Sequence, residues 1–412
     1  MIKVQTESGL MWYSLAIRGL AVGILSSVTV TFFANTVAFL TDMNKQCPFL
    51  IILLPLGALI CAQLYRILGE DYRRITVIAI DQIHDKEDGK AESEKTINPA
   101  MGVIAYLAAF ISHLLGASVG KEGVGVQIGL STARLTECIE ERLIKKDVLP
   151  SDYYLMCGAS AAFGTLFSSP IAGVLFGMQF ASPGKTRLDA ALPCLASAYS
   201  SVFLSRMMGI HVMHIPPFTE PAFTLESAAA AIAIAVAIGL FAHLFLHLLE
   251  KTKKAARGRI IYVLAALAVI VSLLMFIIEG SFSYNGLSAD MLYRAIESDV
   301  PLYSLLVKAI LVILCLSSGF QGGEVVPLLV IGACFGNAAG SILGMNQGYL
   351  AAIGALGMLS AGTKLPLVCF ALGLELFGFT EARLLFLAVM VSYMASGKEG
   401  IYQHQRVLLQ NA

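Results

Sequence analysis

The sequence predicts an all-α polytopic membrane protein made of two related halves, and three observations predict it. Of its 412 residues, 57% are hydrophobic and only 14% are charged, where soluble domains carry about a quarter charged; mean hydropathy is +0.77. Apolar runs at Pro48 to Leu64, Leu225 to Leu249 and Ile260 to Ile278 approach the roughly 20 residues that cross a bilayer as a helix. Motifs of the first half return in the second after roughly two hundred residues, the duplication pattern of many transporters. The net charge is zero, so no basic field supports nucleic-acid binding.

From the N-terminus, Met1 to Gly9 is polar and the apolar stretch after it outruns a signal-peptide core. The chain is therefore expected to begin with a membrane segment rather than a cleaved leader. Asp81 to Lys95 is polar, of mixed charge, and reads as a cytoplasmic loop. The run Gly120-Lys121-Glu122-Gly123-Val124-Gly125-Val126-Gln127-Ile128-Gly129 follows, with one carboxylate in apolar surroundings. A charge at bilayer depth costs on the order of 3 kcal/mol by insertion scales, so Glu122 needs a reason to be there. About fifty residues later comes Ala162 to Gln179, which contains Pro170.

A loop rich in Pro and His, residues 208–222, divides an N-terminal repeat (1–207) from a C-terminal one (223–412). Between the next two long apolar runs lie Lys251, Lys253, Lys254, Arg257 and Arg259, which the positive-inside rule places in the cytoplasm. The runs Leu302 to Leu316, Ala351 to Gly362 and Leu365 to Phe377 are short and interrupted by Gly or Pro, and they predict tilted, broken or re-entrant helices. Such backbone survives at membrane depth only where it is buried in protein or lines a polar cavity. Gly319 to Gly323, followed by Glu324, mirrors the first glycine turn. Pro170 pairs with Pro366 and Gln179 with Glu375, each proline nine residues before its polar partner.

Each half thus sets a glycine-rich turn before an apolar helix. Free N–H groups and the positive dipole end make such helix starts ready anion sites, and pseudo-symmetric bundles place their substrate at the repeat interface. An anion is the expected substrate; the alternative is that these glycines serve close helix packing.

The run from Gly120 to Gly129 resembles the gating-glutamate motif of the CLC family of chloride channels and proton-coupled anion exchangers. Gly319-Phe320-Gln321-Gly322-Gly323-Glu324-Val325-Val326-Pro327 is similar to its second filter motif, and Ser396 to Tyr402 to the start of its last helix. The resemblance implies the CLC-type fold of two inverted-topology repeats. The Gly-Phe-Gln-Gly-Gly-Glu-Val form, Ile80-Asp81-Gln82-Ile83-His84 and Gly400 to Arg406 resemble the fluoride/proton antiporter branch in particular. Thr76 departs from both branches: chloride-type members have Gly-Ser-Gly-Ile-Pro there, fluoride-type members Asn or Met. Its hydroxyl offers an anion donor, or bonds its own helix backbone. Where chloride/proton exchangers carry an inner relay glutamate, Gln179 or Phe180 stands instead.

The expected function is fluoride export in exchange for protons, with a chloride or broad anion channel or a chloride/proton exchanger as the alternative. Ionised, Glu122 occupies an anion site as a tethered surrogate; protonated, it loses its hold and swings away. Its competing reading is a permanent pair with Lys121 or Lys308. Glu324 is a possible second proton carrier, or else a solvated helix-start carboxylate. Gly120, Lys121, Gly123, Val124, Val325 and Val326 complete the anion-binding set, and by resemblance Tyr402 donates its phenol, against an interfacial role. The resemblance also implies a homodimer with a pathway in each subunit and both termini cytoplasmic; a bacterial inner membrane is the expected location, and with the chain stopping at Ala412 directly after the last membrane motif no appended nucleotide-binding domain is expected.

An enzyme is the third and weakest class. His243 and His247 lie four apart and His211 and His214 three apart, spacings able to ligate metal, yet no glutamate of a metalloprotease motif accompanies them. No Ser, Cys or Thr sits in a nucleophile motif, and the eight cysteines form no CxxC pair. No metal and no cofactor are expected.

Overall fold

The computed structural model describes residues 2–90, 95–144 and 151–407; residues 91–94 of the polar Asp81 to Lys95 segment lie outside the described residues. The described chain is helical almost throughout. The first half comprises α1 (Ile2–Gln46), a 3-10 turn at Pro48–Leu53, α2 (Leu54–Leu68), α3 (Ile75–Glu87), α4 (Ala100–Leu114), α5 (Glu122–Ile144), α6 (Ser151–Phe167), α7 (Pro170–Gln179) and α8 (Ala191–Met207). The second comprises α9 (Leu225–Ala255), α10 (Ile260–Glu279), α11 (Ala289–Glu297), α12 (Ser304–Ser317), α13 (Val325–Leu343), α14 (Gln347–Thr363), α15 (Pro366–Glu375) and α16 (Ala382–Ala395). Among the described residues, six helical segments are long and apolar enough to cross a bilayer.

Local chemistry sets these boundaries. The apolar run from Pro48 is split, because Pro48 and Pro55 each open a fresh helical piece and proline supplies no N–H for the preceding turn. Thr224 and Ser227 bond reciprocally through side chain and backbone N–H at the start of α9, a capping box. Gly280, at φ +69°, ends α10 in the left-handed region.

The halves match element by element. Helices α6 and α14 are both 17 residues long, and α7 and α15 both ten, each opening on its proline. Helices α6 and α14 are buried almost end to end. Each crosses a neighbour at a glycine pair. A Cβ on Gly158 would stand 2.5 Å from the Gly129 carbonyl of α5, and one on Gly354 2.1 Å from the Gly332 carbonyl of α13, the close approach that small residues permit where hydrophobic drive is absent. Long helices α1, α9 and α10 form the periphery and keep apolar side chains such as Phe32, Leu240 and Ile277 exposed, as lipid-facing surfaces do.

Candidate functional site

The two glycine turns meet. Gly120 N–H donates to the Gly323 carbonyl at 2.8 Å, and Gly323 N–H to the Gly120 carbonyl at 2.7 Å. A Cβ on Gly123 would lie 2.9 Å from Gly323 Cα, so only glycine lets the starts of α5 and α13 come this close. A second bridge between the halves runs from Gln321 Nε2 to Gln127 Oε1 at 2.7 Å. Val124, Val325 and Val326 fill the first turns of the two helices and are fully buried.

Glu122 sits at this junction with 2% of its surface exposed, and its Oε2 has no hydrogen-bond partner among the described residues. Lys308 is not its partner: the Lys308 ammonium donates to Ser118 Oγ (2.8 Å), Ser288 Oγ (2.9 Å) and the carbonyls of Tyr284 and Gly286 (both 3.1 Å). Lys121 turns its Nζ toward the His211 carbonyl at 3.4 Å and forms no ion pair with Glu122. Neither permanent pairing considered for Glu122 is therefore present.

Tyr402 is held from three sides. Ile401 N–H donates to the Gly362 carbonyl at 2.8 Å, Gln405 Nε2 to the Phe180 carbonyl at 2.7 Å, and Phe176 of α7 meets the Tyr402 ring edge-on at 6.0 Å between centroids. Lys364 secures the preceding turn by donating to Ser396 Oγ and the Gly397 carbonyl at 2.7 and 2.9 Å. Beyond the membrane segments, the Arg406 guanidinium bonds both oxygens of Asp88 at 2.9 and 2.8 Å and holds that carboxyl well below the usual carboxylate range. The Tyr402 hydroxyl itself is buried and unpartnered among the described residues. Glu122 and Glu324 are both near enough to act on it electrostatically.

Glu324 occupies the N-cap position of α13 without a side-chain capping bond among the described residues and pairs with Lys253 in the last turn of α9 at 2.7 Å, so the basic stretch that closes α9 reaches it directly. Thr76 lies part-buried in the first turn of α3, and no hydrogen bond joins its hydroxyl to the backbone of that helix among the described residues. Gln179 Nε2 donates to Thr186 Oγ1 at 2.6 Å. Its counterpart Glu375 instead caps the other half, its carboxylate accepting the Ile171 and Ala172 N–H groups of α7 at 2.9 and 2.8 Å. Among the histidines, His247 Nδ1 faces Glu399 at 3.7 Å, and the His211 and His214 backbone amides bond Asn35 and Tyr293. No group able to hold a metal ion occurs among the described residues.

A cavity of about 480 Å³ opens on Lys121, Glu122 and Val326 and is also lined by His113, His211 and Tyr293. His113, at the last turn of α4, is a residue that sequence reading missed. Both its ring nitrogens are buried without partners among the described residues. Its only signal in the sequence is a histidine ending an apolar helix seven residues before Gly120.

Two matched helical halves whose helix starts converge on a buried, unpaired carboxylate define the class: a pseudo-symmetric membrane transport protein. Residues 77–397 match the family described as voltage gated chloride channel, and the chain belongs to this CLC family, whose shared activity is anion transport and not enzymatic catalysis. The chain is 30% identical over 403 residues to a chloride/fluoride channel protein of Pseudomonas syringae pv. tomato, covering 95% of this chain and 86% of that one. It is similar in structure to a CLC-type fluoride/proton antiporter, with a TM-score of 0.86 and 26% identity over 96% of this chain and 98% of that one. A slow cyanobacterial Cl⁻/H⁺ antiporter shares the fold at a TM-score of 0.72 and 20% identity, covering 96% and 97%.

Proposed function

We propose that this protein exports fluoride in exchange for protons, with Glu122 as both gate and proton carrier. One observation carries the reading: the Glu122 carboxylate and the Tyr402 phenol are buried at the junction of the halves, each with an oxygen lacking any partner among the described residues. An ionised Glu122 beside the N–H groups at the starts of α5 and α13 fills the position an anion would take. Protonation removes its charge and frees the position, so anion and proton exchange by competition. Likeness to a fluoride/proton antiporter and to a chloride/fluoride channel protein supports fluoride as the substrate. Glu324, charge-balanced by Lys253, is the second proton carrier in this reading, and Tyr402 the hydroxyl donor to the anion. The anion passes the backbone of Gly120, Lys121, Gly123, Val124, Val325 and Val326. The protein is proposed to act as a homodimer in a bacterial inner membrane, one pathway per subunit.

Thr76 favours a second reading, chloride or broad anion transport, because a free hydroxyl serves a chloride site as serine does. Paired fluoride- and chloride-electrode recordings on reconstituted vesicles, with simultaneous pH recording, separate the two. The proposal expects fluoride efflux to drive proton uptake and Glu122→Gln to abolish the proton movement. Equal chloride flux without protons in the unmodified protein, or intact coupling in Glu122→Gln, refutes it.

A further inference from the structure

We infer that His113 relays protons between the 480 Å³ cavity and Glu122; this rests on the proton-coupled reading above and assigns it a residue outside the motifs.

The argument begins with burial. His113 is 2% exposed, yet Nδ1 and Nε2 both lack hydrogen-bond partners among the described residues. A buried polar group left unpaired costs about 1–3 kcal/mol, and such an exception in a packed interior calls for a functional account. The same helix shows what a satisfied polar group looks like there, since Ser112 beside it bonds back to the Ala108 carbonyl at 3.0 Å. His113 instead lines the cavity that also reaches Glu122.

The surroundings suit proton traffic. A neutral imidazole offers one N–H donor and one acceptor nitrogen, so His113 takes up an excess proton delivered as hydronium through the cavity on one nitrogen, leaving neutral water behind, and gives up the proton on the other. Glu122, which lines the same cavity and whose Oε2 is unpartnered among the described residues, is the available acceptor; no direct bond joins it to His113, so the proton crosses between them on cavity water. The transfer balances: the carboxylate becomes a carboxylic acid, the imidazole returns to neutral as its other tautomer, and the reverse transfer restores both.

The charged and titratable groups around the cavity come from four directions. Lys121 accompanies Glu122 at the start of α5 and acts electrostatically on His113. Helix α1 contributes Asp42 and Lys45, and α11 contributes Asp290, Tyr293 and Arg294, with His211 on the linker between the halves. Lys45 and Asp290 pair with each other at 2.7 Å across the exposed rim. Lys121, whose Nζ donates to the His211 carbonyl at 3.4 Å, shares the cavity wall with His113 and Glu122. The cavity is formed by the end of α10 and the linker before α9, away from the basic turn that joins α9 to α10. The relay therefore serves the face opposite that basic turn.

Reconstituted full-length protein tests the relay through proton-coupled fluoride flux with small buffers of graded concentration at fixed pH. His113→Ala is expected to slow coupled flux by about a hundredfold, the low end of what a positioned acid–base group supplies. Added imidazole is expected to restore that flux while leaving the unmodified protein unchanged. His113→Gln, which keeps bulk and hydrogen bonding but carries no proton, serves as the second variant and is expected to be slow and accelerated by imidazole in the same way. Unaltered flux in either variant, or slow flux indifferent to imidazole in both, overturns the relay. Absence of proton movement in the unmodified protein overturns the transport reading together with it, so the two failures are distinguishable.

Discussion

Gly323→Ala perturbs the junction of the halves more directly than any other single substitution. Its new Cβ would lie 2.6 Å from the Gly123 nitrogen and 2.9 Å from Gly123 Cα, both backbone atoms that no rotamer change can move aside. Ordinary contact begins near 3.5 Å, so the strands of backbone must separate by roughly 0.6–0.9 Å. That shift stretches the reciprocal 2.8 and 2.7 Å bonds between Gly120 and Gly323 toward the limit of hydrogen bonding. Two weakened bonds at about 0.5–1.5 kcal/mol each, added to about 1–3 kcal/mol of overpacking, give about 2–6 kcal/mol. The control is Gly280→Ala, where nothing lies within 4 Å and only the φ of +69° opposes a side chain, worth about 1–2 kcal/mol. Thermal midpoints of the two variants in detergent, followed by fluoride flux after reconstitution, provide the assay. Gly323→Ala should melt well below Gly280→Ala and transport poorly. Equal midpoints with normal flux would refute the idea that the halves are locked by this backbone contact.

Two further outcomes accompany the Glu122 and His113 experiments. Glu375→Ala strips the cap from the Ile171 and Ala172 N–H groups of α7 and should cost about 1–3 kcal/mol, with Glu375→Gln losing less; identical midpoints for all three proteins would show that water replaces the cap. Hydrogen bonding to Arg406 depresses the Asp88 carboxyl below its ordinary 3.8, so its contribution is present above that value and lost as pH falls through the lower folded-state value. The unmodified protein should therefore show an acid limb in its thermal midpoint that Asp88→Asn flattens and high salt shrinks; superimposable acid limbs would sink the assignment.

The sequence carried the repeat because its signals are local and repeated: Pro170 and Pro366 fix where α7 and α15 begin, and each helix ends on the polar residue nine positions on. It carried the glycine turns for the same reason. It carried their partners poorly. Lys253 reaches Glu324 across 71 positions, and Glu375 caps α7 across more than two hundred, contacts that no periodicity announces. The basic stretch at Lys251 to Arg259 reads as a topology signal, yet one of its lysines, Lys253, pairs with Glu324 at the start of α13. Glu375 and Gln179 look equivalent by register, but one caps a helix and the other bonds Thr186, because the two chains of backbone around them differ. His113 stayed hidden since an orphaned nitrogen is visible only when all its neighbours are placed.

The reciprocal bonds between Gly120 and Gly323 also bear on how the protein is made. During synthesis domains emerge N-terminal end first, so α1 to α8 enter the bilayer while Gly323 has yet to leave the ribosome. Until it arrives, the Gly120 amide and carbonyl have no partner in a medium that supplies no water to take its place. The first half is thus born with an open seam at its most sensitive point, and closing that seam joins groups some two hundred residues apart, a slow step by contact-order reasoning.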